Sequence, residues 1–404
     1  MTYILKNATV ITMDDQRVFY NTDLFVANGR ILKIAPHIEP LGVNTVDCTG
    51  KFLLPGLIDC HVHMDSNEIT EMLLANGVTA CRNMWGFPET QQWCREIEQG
   101  KRFGPKVYST GPLTDGQTYW EHSLIVTTPE QAEQAVVDCL NGGYQYVKTY
   151  PSIPRDAFKR IMEAANNFGI KVMGHGNYNV SFRELRDWGY YSLEHTSCLP
   201  KTDDEVLMLA ESDMWFCPTL TVGRTIYNYV HLDHNVRETK HYDSMCGYWH
   251  RDWDKITAWR KSLHRYDNMD FEGELERARL FVRHSDNILM GTDVPNPGVT
   301  GGFSAHEELA DMARTFGMSP YQALRTATVN AARSLGISSG SKGMLKPGMD
   351  ADILILEKNP LEDIANTETF CAVIREGTYH DKAECEAVLA RVRQYRDDEI
   401  EALM

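Results

Sequence analysis

No stretch of this chain approaches the roughly 18 consecutive apolar residues that a membrane-spanning helix needs. Basic residues are few beside acidic ones: 40 Lys and Arg against 56 Asp and Glu, a net charge of −16. That balance disfavours nucleic acid or an anionic membrane as a partner, and solubility alone accounts for it. The ten cysteines include no CxxC pair, and several (Cys81, Cys139, Cys217) lie inside apolar runs. They read as reduced, buried thiols rather than a disulfide frame. The opening residues MTYILKNATVITMDD lack the basic, apolar and small-residue order of a secretion signal. A cytoplasmic protein is the expectation. Low-complexity segments are missing too, and the composition is that of an ordinary globular chain.

What is present is a change of pattern along the chain. The first fifty residues alternate short strand-like runs with turns, YILKNATVITM and then DLFVANGRILKIA, which predicts a small antiparallel sheet. From there the pattern becomes strand, then helix, repeated. Strand candidates are GLIDCHVH, GVTACRN, PKVYSTG, YQYVKTY, IKVMGH, YYSLEH, MWFCPTL and NILMGTD, with amphipathic stretches such as RDAFKRIMEAANNFG between them. This alternation predicts an α/β fold, a (β/α)8 TIM barrel over residues 55–342. A long segment rich in Trp, Tyr and His, about 221–285, reads as a helical insertion. GMLKPGMDADILILE and FCAVIREGTYH return to strand patterning, so residues 1–54 and 343–382 are assigned to one discontinuous β-sandwich domain. Residues 383–404 read as a charged C-terminal helix.

The chemistry gathers at the strand ends, where barrels of this kind carry their catalytic groups. The first strand ends in His61 and His63, the fourth in Lys148, the fifth in His175, the sixth in His195 and the eighth in Asp293. Alternation places His61 and His63 on one face and Cys60 on the other, so Cys60 is not counted as a ligand. Two imidazoles so placed can grip one cation; alone they fit a hydrogen-bonded core pair equally well. Six metal-competent groups at one end of a barrel are harder to explain as core. A lysine desolvated among them has a lowered pKa, and its neutral amine can take up carbon dioxide as a carbamate.

In this order the motifs resemble those of the amidohydrolase superfamily. LLPGLIDCHVH resembles the family's first strand and VKTY its carboxylated-lysine strand. GHG, EHT and GTD resemble its fifth, sixth and eighth strand ends. The closing helices and GMLKPGMDADILILEKNPLEDI complete the pattern, nearest to the imidazolonepropionase-like branch that includes Xaa-Pro dipeptidases. The resemblance implies a binuclear centre of two divalent ions, zinc first. His61, His63 and Asp293 would hold one ion, His175 and His195 the other, and a Lys148 carbamate and a hydroxide would bridge them. The hydroxide would attack an amide or peptide carbonyl in a dipeptide or N-acyl amino acid. Asp293 would pass its proton to the leaving amine.

Rival readings stay open at this point. Lactone, carbamate or phosphotriester hydrolysis could run on the same site. A mononuclear cyclic-amidine hydrolase or deaminase is a further alternative, although the deaminases of the family it resembles carry glutamate where GHGNYN has Asn177 and lack the lysine. A non-catalytic scaffold would have lost ligands. For the substrate, His122, Tyr150, Tyr119, Trp120 and Arg224 are pocket candidates, Arg224 as a carboxylate clamp. His231, His234, His241 and His250 read as solvated helix residues. A small-molecule substrate and a homo-oligomer complete the expectation.

Overall fold

The computed structural model of the protein describes residues 1–118, 120, 122–337 and 341–400, with Arg265 described by its backbone alone. Numbered along the chain, five strands come first: β1 (Thr2–Ile11), β2 (Val18–Ala27), β3 (Arg30–Ala35), β4 (Asn44–Asp47) and β5 (Phe52–Pro55). The next eight are β6 (Leu57–Val62), β7 (Val78–Asn83), β8 (Lys106–Asp115), β9 (Leu124–Ile125), β10 (Tyr146–Thr149), β11 (Lys171–Gly174), β12 (Ser192–Glu194) and β13 (Trp215–Cys217). The last three are β14 (Ile353–Leu356), β15 (Phe370–Arg375) and β16 (Thr378–Asp381).

The two groups of terminal strands join in one mixed sheet, ordered β16-β15-β14-β5-β1-β2-β3 with β4 beside β1. Leu5, Val10, Leu24, Val26, Leu53, Ile353, Ile355 and Ile374 share one buried cluster, so both halves of the sheet face a common core. Tyr3 on β1 meets Tyr379 on β16 at 6.2 Å, edge to face.

β6, β7, β8, β10, β11, β12 and β13 form a parallel sheet in that order. These strands are apolar along most of their length because helices cover one face and the barrel interior the other. The eighth position is an extended segment rather than a continuous strand. Phe216 pairs with Ile288 and Val62 with Val294, which closes the ring between β13 and β6. Gly291 is needed at this seam, since a Cβ there would stand 2.4 Å from Cys217 Sγ and 2.8 Å from His61 Cβ. Inside the ring, Ile58, Cys60, Ala80, Tyr146, Met173, Cys217 and Leu289 fill the floor, and Ala331 and Leu335 plug it from below.

Helix starts and stops follow local chemistry. Thr128 accepts a hydrogen bond from Gln131 N to open Pro129–Asn141. Gly169, at φ 72°, ends Arg155–Phe168 in the left-handed conformation. Between β13 and the eighth segment lie Leu220–His231, Gly247–Lys261 and Phe271–His284. The third packs beside Asp203–Ala210 and serves as the barrel's own helix; the first two are additions. Of the histidines in this stretch, His234 is exposed as expected, whereas His231 packs on Tyr227 at 5.0 Å, His241 stacks on Phe303 at 4.3 Å and His250 on Tyr242 at 4.0 Å. The terminal helix covers Lys382–Arg393, shorter than its charge pattern suggests, and docks on Asn67–Ala75 through Arg391 and Tyr395 to Glu71. Among the described residues no helix is long and apolar enough to cross a membrane.

Candidate metal centre

Around His61 the strand ends converge. Its Nδ1 lies 2.8 Å from Glu194 Oε2. A carboxylate can only accept, so Nδ1 carries the proton and Nε2 presents its lone pair. That Nε2 is buried without a hydrogen-bond partner and lies 3.5 Å from Asp293 Oδ1. His63 Nε2 is 3.0 Å from the same oxygen, and His63 Nδ1 is also buried without a partner. His195 Nδ1 is 3.9 Å from Asp293 Oδ2 and 2.7 Å from Thr219 Oγ1. The His175 ring sits 4.6 Å from that of His195 and stacks on Tyr150 at 4.0 Å. Lys148 is buried at the end of β10, its Nζ 5.8 Å from the Tyr150 ring centre.

Two of these groups are held in uncommon backbone conformations: His195 at φ 71° and Asp293 at φ 64°. Side chains other than glycine resist this region, and such strain persists where the surroundings fix it. Asp59 supplies much of that fixing. Its Oδ1 accepts from His61 N and Thr292 N at 3.1 Å each, and its Oδ2 from Thr292 Oγ1 at 2.7 Å. Asp59 thus ties the strand bearing the histidines to the segment bearing Asp293.

The electrostatics suit neutral, lone-pair-donating imidazoles. Burial presses His61 far below its ordinary pKa and His195 down to about 4. Burial also lowers Lys148 to about 8, although Glu194 and Asp293 pull the other way. Its amine is therefore partly neutral near physiological pH, the form that reacts with carbon dioxide. Burial raises Asp293, but the His63 hydrogen bond and the charges of His195, His63 and Lys148 outweigh it, leaving the group below its usual range.

His61, His195 and Asp293 each offer a ligand atom, all within 4.8 Å of one another. His61, Glu194 and Cys217 make a second such group. There, Glu194 is already taken by Arg82 and His61, and burial lifts the Cys217 thiol well above its ordinary pKa, so it stays protonated. The two unpartnered imidazole nitrogens and the buried lysine fit a divalent-metal site of mixed imidazole and oxygen ligands.

The mouth above is aromatic. Trp85 stands edge-on to His63 at 6.1 Å, Trp120 lies 6.4 Å from Trp85, and Trp259 lies 5.3 Å from Trp120. Trp120 Nε1 donates to Tyr150 OH at 3.1 Å. His122 is exposed at the rim, its ring 6.2 Å from Phe87, and the structure does not bring it against the histidines. Tyr119 lies outside the described residues. Asn177 turns away, donating to Ile153 O and accepting from Asn179 N.

Two expectations are corrected. Arg224 is not a free carboxylate clamp: its Nε donates to Asp311 at 3.1 Å, its Nη2 faces Thr315, and its guanidinium lies over Phe271. Arg224→Met should therefore lower the thermal midpoint and leave KM unchanged; a raised KM at constant kcat would return it to the pocket. Cys60 does not face away from the interior, because a register irregularity between Asp59 and Val62 turns both Cys60 and His61 inward. It still makes no ligand, as burial raises its thiol to about 12.

Sequence reasoning missed Asp59, Glu194, Arg82, Trp85, Phe87 and Trp259. A signal existed for Arg82 and Glu194, each the one charged residue of its strand.

A parallel barrel with imidazoles, a carboxylate and a buried lysine at the carboxyl ends of its strands defines a class of barrel hydrolases. Comparison with known proteins agrees. The chain matches the Amidohydrolase family over residues 52–377. An ochratoxinase of Aspergillus niger is 25% identical over 377 residues, spanning 77% of this chain and 71% of that protein. A candidate prolidase of Bifidobacterium longum has a TM-score of 0.75 at 25% identity, covering 97% of this chain and 98% of that one. A Xaa-Pro dipeptidase solved with methionine in its active site shares the fold, with a TM-score of 0.77 at 17% identity and coverage of 94% and 100%. The chain belongs to the amidohydrolase family and is a hydrolase of that superfamily.

Proposed function

We propose that the protein hydrolyses the C–N bond of a small amide, a dipeptide or an N-acyl amino acid, at a centre of two divalent ions, zinc by preference. His61, His63 and Asp293 would hold one ion and His175 and His195 the other, with Lys148 as its carbamate between them. Bound ions supply a Lewis acid for the carbonyl and a water nucleophile active near neutral pH. The carrying observation is the buried, unpartnered Nε2 of His61, aimed at Asp293 beside the remaining imidazoles.

The chain's own groups do the rest. Glu194 fixes the His61 tautomer through Nδ1. Asp293 takes the proton of the attacking water at its carboxylate and delivers it to the amide nitrogen, so water adds across the C–N bond and an acid and an amine leave. An amine is a poor leaving group without that proton, and this favours amides over esters as the use of such a group. Trp85, Trp120, Trp259 and Tyr150 offer apolar surface to the substrate's side chain. The relatives point the same way, since one bears the name ochratoxinase and a fold neighbour is a Xaa-Pro dipeptidase.

Metal analysis should find about two ions per chain, and native mass spectrometry an added carbon dioxide that Lys148→Ala abolishes. His61→Ala and His175→Ala should each lose metal and activity together. A metal-free protein, or unmodified Lys148 in a fully loaded and active enzyme, would refute the binuclear reading. Dipeptide, N-acyl-amino-acid, lactone and phosphotriester libraries then test the reaction. Lactones or phosphotriesters outrunning every amide would move the assignment to those bonds.

A further inference from the structure

Among the described residues, every buried carboxylate but one is met by a hydrogen bond or an ion pair. Asp23 takes Lys6, Glu194 takes Arg82 and Asp352 takes Lys342. Glu308 accepts from the backbone of Leu220 and Thr221. Asp65 is the exception. It is 7% exposed, makes no hydrogen bond and no ion pair, and its Oδ1 is buried with no partner. An acid is almost never so enclosed unless it is paired, because something must replace the water it loses.

Other oxygens are orphaned beside it. Asn67 Oδ1 and Glu68 Oε2 are buried with no partner, although Glu68 Oε1 accepts from Ser66 Oγ at 2.7 Å and from Trp249 Nε1. Asp252 adds its Oδ2. Three residues after Trp249 on helix Gly247–Lys261, Asp252 shares the face that Trp249 turns toward Glu68. Trp253 holds the same helix to Pro295 O at 2.6 Å, just after Asp293. The charges of His63, Asp252, Asp293 and Glu68 all act on Asp65. The charge of Lys255 reaches Asp252, but Lys255 is exposed and forms no ion pair with it. Asp65 belongs to neither group of ligand atoms close enough to hold a metal ion. What the unmet oxygens lack is a compact cation with several donors and no acceptor, and a primary ammonium with its three N–H groups is that cation. Asp65 stands two residues past His63 at the barrel mouth, so the ammonium is one that enters with the substrate.

We infer that Asp65, with Asn67, Glu68 and Asp252 around it, binds a free ammonium group on the substrate. This rests on the proposed amide hydrolysis and narrows it. Dipeptides and other aminoacyl amides carry an ammonium beside the scissile carbonyl, whereas N-acyl amino acids do not. The substrate class is then amides whose amino group is unblocked. Asp65 acts here as a binding residue and takes no part in proton transfer.

The test uses the metal-loaded enzyme and its Asp65→Asn and Asp252→Asn variants. In the activity arm, dipeptides are compared with the same dipeptides acetylated at the amino group. The wild type should favour the free amines by at least about tenfold in kcat/KM, the value of a charged hydrogen bond. Asp65→Asn should bring that ratio close to one through KM, and Asp252→Asn should lower it in part. In the binding arm, calorimetry compares phenethylamine and isopentylamine with the corresponding alcohols, none of which can be hydrolysed. The amines should bind more tightly than the alcohols, and more tightly to the wild type than to Asp65→Asn. An amine held by the metals alone would bind both proteins equally. Equal binding, or no advantage of amine over alcohol, overturns the inference. So does equal cleavage of free and acetylated dipeptides by the wild type, an outcome independent of how the variants fold. An inorganic ion beyond those of the centre, present in the wild type and lost in Asp65→Asn, would give the place to a metal and overturn it as well. If amines bind through Asp65 but no amide is cleaved, the hydrolase reading fails while the ammonium site stands.

Discussion

Asp293→Asn is expected to lower kcat by at least about 10²-fold, the usual contribution of a positioned general acid–base group. The substitution keeps the side chain's shape and one ligating oxygen, but an amide cannot take up a proton. Asp293 projects from a segment held by His61 O through Asp293 N and by Asp59 through Thr292, so the variant's backbone should stay in place. The native carboxylate is kept below its usual pKa, mainly by His63 once burial is offset, and so it is ionised and ready to accept. The measurement is kcat on an amide substrate with metal content checked in parallel. A metal-replete Asn variant with near-native kcat would remove Asp293 from proton transfer.

Glu194→Ala should be the most damaging substitution for stability. Arg82 donates from Nη2 to both Glu194 oxygens at 2.8 Å, and both side chains are fully buried. Deleting one member of a buried pair leaves the other charge without water or counter-ion, at a cost of about 3–5 kcal/mol. Ser192 loses its acceptor too, and His61 loses the group that fixes its tautomer. Thermal unfolding should shift down sharply, with metal content falling as well. Glu194→Gln, which keeps an acceptor, should lie between. Unchanged melting and unchanged metal content in Glu194→Ala would show that Arg82 finds other compensation. Replacing both charges by apolar residues should recover part of the stability but not the metal.

The barrel was legible because its strands are covered on both faces, so each appears as a short apolar run ending in one polar group. His61, His63, Lys148, His175, His195 and Asp293 stood out for that reason: residue type and strand end are local properties. What pairs with them is not local. Glu194 meets Arg82 across 112 positions of chain, and Asp59 meets Thr292 across 233. Nothing near Arg224 announced that Asp311 would claim it. Simple alternation also failed at Cys60, because one irregular residue in a ladder reverses the parity of everything beyond it. The aromatic wall was half visible. Trp120 and Tyr150 lie near strand ends, whereas Trp259 arrives on a helix whose course no periodicity fixes.

The seam between Val62 and Val294 can be regarded as the last stave of a cask. The other staves meet along ordinary ladders; this one is held by a few backbone bonds, the Asp59 carboxylate and the glycine that lets it press close. Helix Gly247–Lys261 then lies across the joint as a hoop, gripping Glu68 on one side and Pro295 and Asn296 on the other. His61 and His63 belong to the first stave and Asp293 to the last. Closing the vessel and aligning these three groups are therefore one event, and whatever loosens the hoop spreads the site.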